Sequence, residues 1–122
     1  MKKILLALLI IVSILLLISA RLHNERYYQD KWCLEQGGQV EVRLPDRTRC
    51  DCLTENNAIE FDFGSKWAEA IGQALYYSTQ TGKRAGIVLI LEKDSDRKYW
   101  FRMMKVIQTY QLPIDVWRMG PE

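Results

Sequence analysis

The segment RCDCLTENNAIEFDF, residues 49–63, decides the fold, because two strand patterns stand on either side of a polar turn. Alternation of apolar and polar residues over four to eight positions indicates a strand, and Asn-rich stretches are typical of the turns between strands. Residues 49–54 form one predicted strand and residues 58–63 the next. In the second, large apolar side chains alternate with Glu60 and Asp62, which predicts one apolar and one polar face.

The residues before this segment add a helix and a first strand. A helix is predicted over residues 22–36, either separate from the apolar segment before it or continuous with it, and a glycine pair ends it. Residues 39–44 alternate, with all their apolar side chains on one side, and a turn at 45–48 completes a hairpin. On a regular strand, Cys50 and Cys52 point to one face and the residue between them to the other.

The residues after the segment alternate helix and strand. Ser65 is predicted to cap a helix that ends at Gly82. Residues 85–91 are continuously apolar, as in a strand buried on both faces. A further helix from Asp94 leads to a closing strand at 114–117. The element order αβββαβαβ predicts an α/β fold, a mixed central sheet with helices on both faces.

An apolar run occupies residues 4–20 and follows two lysines. Its length lies between a secretory signal and a membrane-spanning helix. Ala20 supplies one small residue of a cleavage site, but Ile18 stands where the other belongs, which favours an uncleaved anchor over a cleaved signal. We therefore divide the chain into an anchor or signal segment, 1–21, and a folded domain, 22–122.

The N-terminal lysines also bear on location and charge. The chain has 17 Lys and Arg residues against 15 Asp and Glu residues, and Lys2 and Lys3 account for the whole excess. They favour a cytoplasmic N-terminus, which predicts a bacterial inner-membrane protein with a periplasmic domain, or a periplasmic protein after cleavage. Arg21 and Arg26 oppose this orientation. The remaining chain is formally neutral and lacks the basic excess typical of nucleic-acid binders.

Three cysteines, Cys33, Cys50 and Cys52, would reach an oxidising compartment if the domain is exported. We therefore predict a disulfide between Cys33 and one of the other two, which leaves one thiol unpaired, and the alternative is three reduced, buried thiols. Zinc ligation is the weaker interpretation, because one distant cysteine, a C-x-C pair and the single His23 match no common zinc spacing.

Several of these residues resemble the PD-(D/E)XK nuclease superfamily, which has the restriction-endonuclease-like fold. Asp51 lies on the second strand and Glu60 on the third, where that superfamily carries metal-binding acids. Gln73 and Tyr77, four residues apart on the following helix, are similar to the Q-x-x-x-Y motif of its RecB-like branches. The resemblance implies a membrane-anchored, metal-dependent nuclease that hydrolyses phosphodiesters of DNA or RNA.

The same resemblance assigns roles. Asp51, Glu60 and Asp62 would bind Mg²⁺ or Mn²⁺, since hard cations prefer oxygen ligands. Gln73 and Tyr77 would hold the scissile phosphate or a metal-bound water, and many members of this fold act as homodimers. An additional acidic residue of the first helix is implied, with Glu35 as the candidate and Glu41 of the first strand as its rival.

One departure opens an alternative function. The superfamily lysine, two residues after Glu60, is replaced by Asp62. Either an acid serves at this position, or Lys66 at the start of the next helix replaces the lysine, or the domain is catalytically inactive and acts as an interaction module with protein partners in the cell envelope. Asp51 would then have a structural partner, Arg49 or Lys66.

Overall fold

The computed structural model describes residues 1–19 and 21–120, with side chains for all of these except residues 16–19. Within that part of the chain, four α-helices and five β-strands follow one another in the predicted order after the N-terminal helix. The elements are α1 Lys2–Ser19, α2 Glu25–Glu35, β1 Gln39–Arg43, β2 Arg49–Leu53, β3 Asn57–Phe63, α3 Trp67–Thr81, β4 Arg84–Ile90, α4 Arg97–Thr109 and β5 Ile114–Met119.

The five strands form one mixed sheet in the order β1-β2-β3-β4-β5. β2 pairs antiparallel with β1 and β3, whereas β3, β4 and β5 are mutually parallel. The predicted α/β class and mixed sheet are therefore confirmed. β3 is buried at all seven positions, so its polar side chains are enclosed as well as its apolar ones.

The core lies on both faces of β3 and β4. Ile59, Phe61 and Phe63 pack with Val88 and with residues of α2. Ile87 and the alternate residues of β4 pack with α3 and α4 on the other face. Successive side chains of a strand point to opposite faces, so α2 covers one face of the sheet and the other two helices cover the opposite one.

The junction between α1 and α2 is not helical. Residues 21–24 lie outside both helices, and the side chain of Asn24 accepts a hydrogen bond from the Tyr27 amide to cap α2. The predicted helix at 22–36 therefore begins three residues later and is separate from α1. An N-cap of this kind satisfies an amide that has no partner inside the helix, which explains the start at Glu25.

The predicted membrane segment, residues 4–20, lies largely in α1, whose apolar side chains are exposed from Ile4 to Leu15. Ala20, the candidate cleavage position, lies outside the described residues. Across the described part of the chain, no helix has the combined length and hydropathy expected of a membrane span. The anchor stays a prediction.

The β1–β2 hairpin contradicts the predicted alternation. Val40 and Cys52 pack on the face covered by α2, whereas Val42 and Cys50 pack with Tyr77 of α3. The side chains change face because Glu41, between the two valines, adopts a positive φ of 54°. That conformation breaks the pleat of a regular strand. The expectation that both cysteines share one face, opposite Asp51, is therefore wrong.

The start of α3 also differs from the expectation. Residues Gly64–Lys66 form a 3-10 turn, and α3 begins at Trp67 without a side-chain cap. Ser65 is therefore not the N-cap. The end of the helix follows the prediction, because Gly82 adopts the left-handed conformation with φ 70° and its amide binds the Ser78 carbonyl.

A disulfide joins α2 to β2. Cys33 bonds to Cys52, 19 residues away, and Cys50 is a free, buried thiol. A Cβ atom at Gly38 would lie 2.8 Å from both bonded sulfur atoms, so the chain crosses the disulfide where only glycine fits. The disulfide therefore fixes α2 and the following strand against the same face of the sheet.

Reduction of this disulfide should destabilise the domain. Closing a loop of 19 residues removes unfolded-state entropy worth about 3 kcal/mol. We expect urea unfolding of the full-length chain in nonionic detergent to shift to lower urea when a reductant is present. A Cys50→Ala variant is the matched control and should keep the same sensitivity. Equal unfolding midpoints with and without reductant would contradict the prediction.

Candidate carboxylate site

Asp51 lies where the backbone pairing of β2 and β3 gives way to a side chain. The two strands pair at Cys52–Ile59 and Leu53–Ala58. One residue further along, Oδ2 of Asp51 accepts a 2.8 Å hydrogen bond from the Phe61 amide. The carboxylate takes the place of a backbone carbonyl, which turns it into the sheet toward β3.

Glu60 meets Asp51 from β3. Its side chain is 4% exposed, and the two carboxyl groups are in hydrogen-bonding contact. Burial and the negative charge of Asp51 raise the pKa of Glu60 to about 11. Burial also raises the pKa of Asp51, so the pair favours a protonated form, and Asp51 accepts the hydrogen bond from the Phe61 amide. Oε2 of Glu60 has no hydrogen-bond partner among the described residues.

Asp62 lies two residues further on, so it shares the face of Glu60. Burial raises its pKa to about 6, Lys66 opposes the rise, and the charges of Glu69 and Asp51 add to it. Lys66 therefore lies near enough to Asp62 to lower its pKa, and its role as a replacement for the superfamily lysine stays a prediction. Lys66 lies in the turn that joins β3 to α3.

Glu25 completes the cluster from the first turn of α2. Burial, followed by the charges of Asp51 and Asp62, raises its pKa to about 7, and Lys66 lowers it. Glu25 is thus the acid of α2 that lies near these residues, whereas the candidate Glu35 is exposed at the other end of α2. The sequence signal was present, because an acid directly after Asn24 is typical of a helix N-terminus.

Glu41 borders the cluster and is half-buried. Arg26 and Arg49 each approach its carboxylate to 3.7 Å. Gln29 donates to Glu41 at 3.2 Å and to the backbone carbonyl of Asp51 at 2.7 Å. Arg49 thus pairs with Glu41, and Gln29 ties α2 to the strand beside the cluster. Gln29 is 2% exposed and was not among the predicted residues.

The two residues of the Q-x-x-x-Y pattern are placed differently. Tyr77 is buried, contacts Glu60 through its hydroxyl, and has a pKa raised by burial and by the nearby carboxyl groups. Gln73, one turn earlier on α3, is exposed. No side-chain hydrogen bond joins Gln73 to the carboxyl cluster within the described residues.

The tryptophans pack against the domain core on both faces of the sheet. Trp67 and Trp100 are partly buried against the core between the sheet, α3 and α4. Trp117 packs on the other face, with its ring 5.1 Å from that of Trp32.

The cluster fits a hard divalent cation in its chemistry. Asp51, Glu60, Asp62 and Glu25 supply carboxyl oxygens, and one buried oxygen of Glu60 has no partner, so a cation here would relieve the mutual repulsion. Among the described residues, however, no group of three or more His, Cys, Asp or Glu side chains is already arranged to hold a metal ion. The predicted Mg²⁺ or Mn²⁺ site stays a prediction.

Comparison of the chain with protein-family models, with curated proteins and with solved structures gives no match. The fold and the site themselves define the class of protein: a small α/β domain with a mixed five-stranded sheet and a buried carboxyl cluster.

The cluster should make the domain less stable as pH rises. An acid whose pKa is raised by folding binds more protons in the folded than in the unfolded state, so the free energy of unfolding falls above its ordinary pKa of 4.5. The free energy of unfolding should fall up to about pH 7 because of Glu25, and it should continue to fall toward about pH 11 because of Glu60.

We expect a melting temperature at least about 5 °C higher near pH 5.5 than near pH 8.5, measured by circular dichroism in metal-free buffer. Glu60→Gln mimics the protonated acid and should remove much of this difference. Glu35→Gln, on the exposed part of α2, should leave it unchanged. A wild-type melting temperature that does not fall over this range would contradict the assignment.

Proposed function

We propose that the chain is a metal-dependent phosphodiesterase of the restriction-endonuclease-like fold that acts on nucleic acid. The observation that carries the proposal is the buried contact between Asp51 of β2 and Glu60 of β3, with one Glu60 oxygen unpartnered. Burying several acids against one another is costly. A binding site for a divalent cation gives a physical reason for bearing that cost.

The fold supports the proposal at the level of element order. The order αβββαβαβ and a mixed sheet covered by helices on both faces are what the resemblance to the PD-(D/E)XK superfamily implies. The acids also stand on the two strands that the resemblance requires. Tyr77 of α3 reaches the same cluster, as its place in the Q-x-x-x-Y pattern implies.

Each side chain then has a chemical role. Asp51, Glu60 and Asp62 would hold the cation, with Glu25 as a further oxygen ligand from α2. A bound divalent cation supplies a Lewis acid and lowers the pKa of a coordinated water. The Tyr77 hydroxyl orients the Glu60 carboxyl. Gln73, exposed one turn away, would contact the substrate rather than the acids.

Lys66 supplies the positive charge that the third strand lacks. It lies close enough to Asp62 and Glu25 to lower the pKa of both. An ammonium group at this place stabilises negative charge that develops on a phosphate during hydrolysis. Asp62 occupies the position of the superfamily lysine, and it holds Lys66 beside the cluster.

A second function is favoured by a specific observation. Asp51 already accepts a hydrogen bond from the Phe61 amide, and the raised pKa of Glu60 favours its uncharged form, which reduces the repulsion between the two acids without a cation. If no cation binds these acids, the domain serves as an interaction module of the cell envelope. The disulfide supports an oxidising compartment for either function.

Metal binding and hydrolysis test the proposal on the full-length chain in nonionic detergent. We expect Mn²⁺ binding by calorimetry and cleavage of DNA or RNA in Mg²⁺ or Mn²⁺. Asp51→Asn and Glu60→Gln should each reduce cleavage at least about 100-fold, and Lys66→Gln should do the same while Mn²⁺ still binds.

The variants carry their own controls. Glu60→Gln keeps the shape of the protonated acid, so this variant should fold. If it folds but does not cleave, the loss of cleavage is due to the missing carboxylate and not to unfolding. Glu35→Gln should retain wild-type cleavage. A folded chain that neither binds Mn²⁺ nor cleaves any substrate would establish the interaction module instead.

A further inference from the structure

Four exposed cations of α4 and β5 stand out because they lack a carboxylate partner in the described part of the chain. Lys98, Arg102, Lys105 and Arg118 are exposed, and within the described residues none of them forms an ion pair with a carboxylate. α4 itself contains four basic residues and no acidic one. The formally neutral domain therefore combines an acidic cluster in the sheet with a basic exposed face on this helix.

The basic residues of α4 follow one exposed stripe. Lys98, Arg102 and Lys105 are four and three residues apart, so they share a face of the helix and span about 10 Å along its axis. Phe101 lies within this stripe and is 67% exposed. An exposed aromatic ring among cations that lack carboxylate partners has no role in the core of this domain.

Aromatic rings also support the cations from beneath. Lys98 and Arg102 lie 5.1 and 5.7 Å from the centre of the Tyr99 ring, and Arg118 of the neighbouring strand lies 5.8 Å from the Trp100 ring. Such contacts hold a cation in place without neutralising it. The positive charge therefore stays available to an external anion.

A single turn connects this surface to the carboxyl cluster. Tyr99 packs so closely on Gly64 that an added Cβ atom would lie 3.0 Å from its ring. Gly64 begins the turn that carries Lys66 beside Asp62. Tyr99, under Lys98 and Arg102, thus contacts the turn that leads to the acids.

We propose that the α4 basic face, defined by Lys98, Phe101, Arg102, Lys105 and Arg118, binds single-stranded nucleic acid and presents it to the carboxyl cluster. The inference rests on the proposed function, because it names the form of that substrate. A polyanion is repelled by the acids, so adjacent cations are needed to bind its phosphates. The exposed ring offers a stacking partner that only an unpaired base can reach.

An anionic lipid surface fits the same charges less well. A helix that lies in a membrane interface buries a continuous apolar face among the lipids. The apolar face of α4 is already used, because Met103 and Ile107 are buried in the domain core. Phe101 alone does not replace such a face.

The test measures binding without hydrolysis. The probe is a fluorescently labelled oligonucleotide of about 15 nucleotides, either single-stranded or duplex. It is titrated with the full-length chain in nonionic detergent and chelator, and binding is measured by fluorescence anisotropy. We expect the single strand to bind more tightly than the duplex. The triple variant Lys98→Gln, Arg102→Gln, Lys105→Gln should raise Kd at least tenfold and reduce the salt slope by about 2.

Phe101→Ala should raise Kd at least about fivefold with an unchanged salt slope, because it removes stacking and not charge. The matched control replaces three exposed cations outside α4, Lys31→Gln, Arg43→Gln and Arg47→Gln, and should bind as wild type. In parallel, phosphatidylserine vesicles are compared with phosphatidylcholine vesicles.

Equal Kd values for the triple variant and wild type would overturn the inference, and so would duplex binding as tight as single-strand binding. A third contrary result is the absence of oligonucleotide binding together with phosphatidylserine-dependent vesicle binding that the triple variant loses. Binding that persists in chelator and in Asp51→Asn supports the α4 basic face even if no cleavage is found. In that outcome the proposed hydrolysis fails and this inference stands.

Discussion

The contact between the Asp51 carboxylate and the Phe61 amide organises much of this domain. It replaces a backbone hydrogen bond between two adjacent strands with a side-chain one. The acid is thereby held inside the sheet, facing Glu60, and its charge together with burial raises the pKa of Glu60. Glu25, Asp62, Lys66 and Tyr77 are all arranged around this pair. Without it, β2 would continue its pairing and present an ordinary polar side chain.

The face change in the hairpin is part of the same arrangement. Glu41 stands opposite Asp51 in the β1–β2 register, since Val40 pairs with Cys52 and Val42 with Cys50. Its positive φ turns the side chains of both strands at that point. One cysteine is thereby placed in the disulfide with α2, and the other is buried against α3. The disulfide then holds α2, and with it Glu25 and Gln29, against the strand that bears Asp51.

The domain has an acidic cluster and a basic helix face, although its net charge is close to zero. Several acids lie where β2, β3 and α2 meet, while Lys98, Arg102 and Lys105 lie exposed along α4. The turn from Gly64 to Lys66 connects them, because it packs under Tyr99 on one side and carries a lysine to the acids on the other. A formal charge near zero is therefore compatible with a surface that attracts polyanions, since binding depends on local potential.

The sequence by itself determined the class of fold and most of its elements, because hydrophobic periodicity reports directly which residues must be buried. Alternation at 58–63 and the apolar run at 85–91 predicted the two central strands, and the order of elements predicted the mixed sheet. The resemblance also singled out Asp51, Glu60, Asp62, Lys66 and Tyr77, which lie near one another in the structure.

Only the tertiary structure decided the rest. Which elements meet in space decides the cysteine pairing and the face change at Glu41. It also decides the burial of Glu60 and the position of Glu25, and not Glu35, near the other acids. Periodicity assumes a regular pleat, and a single residue with positive φ invalidates that assumption. The protonation of buried acids likewise follows from neighbours brought from α2, β2 and α3, and no local pattern contains that information.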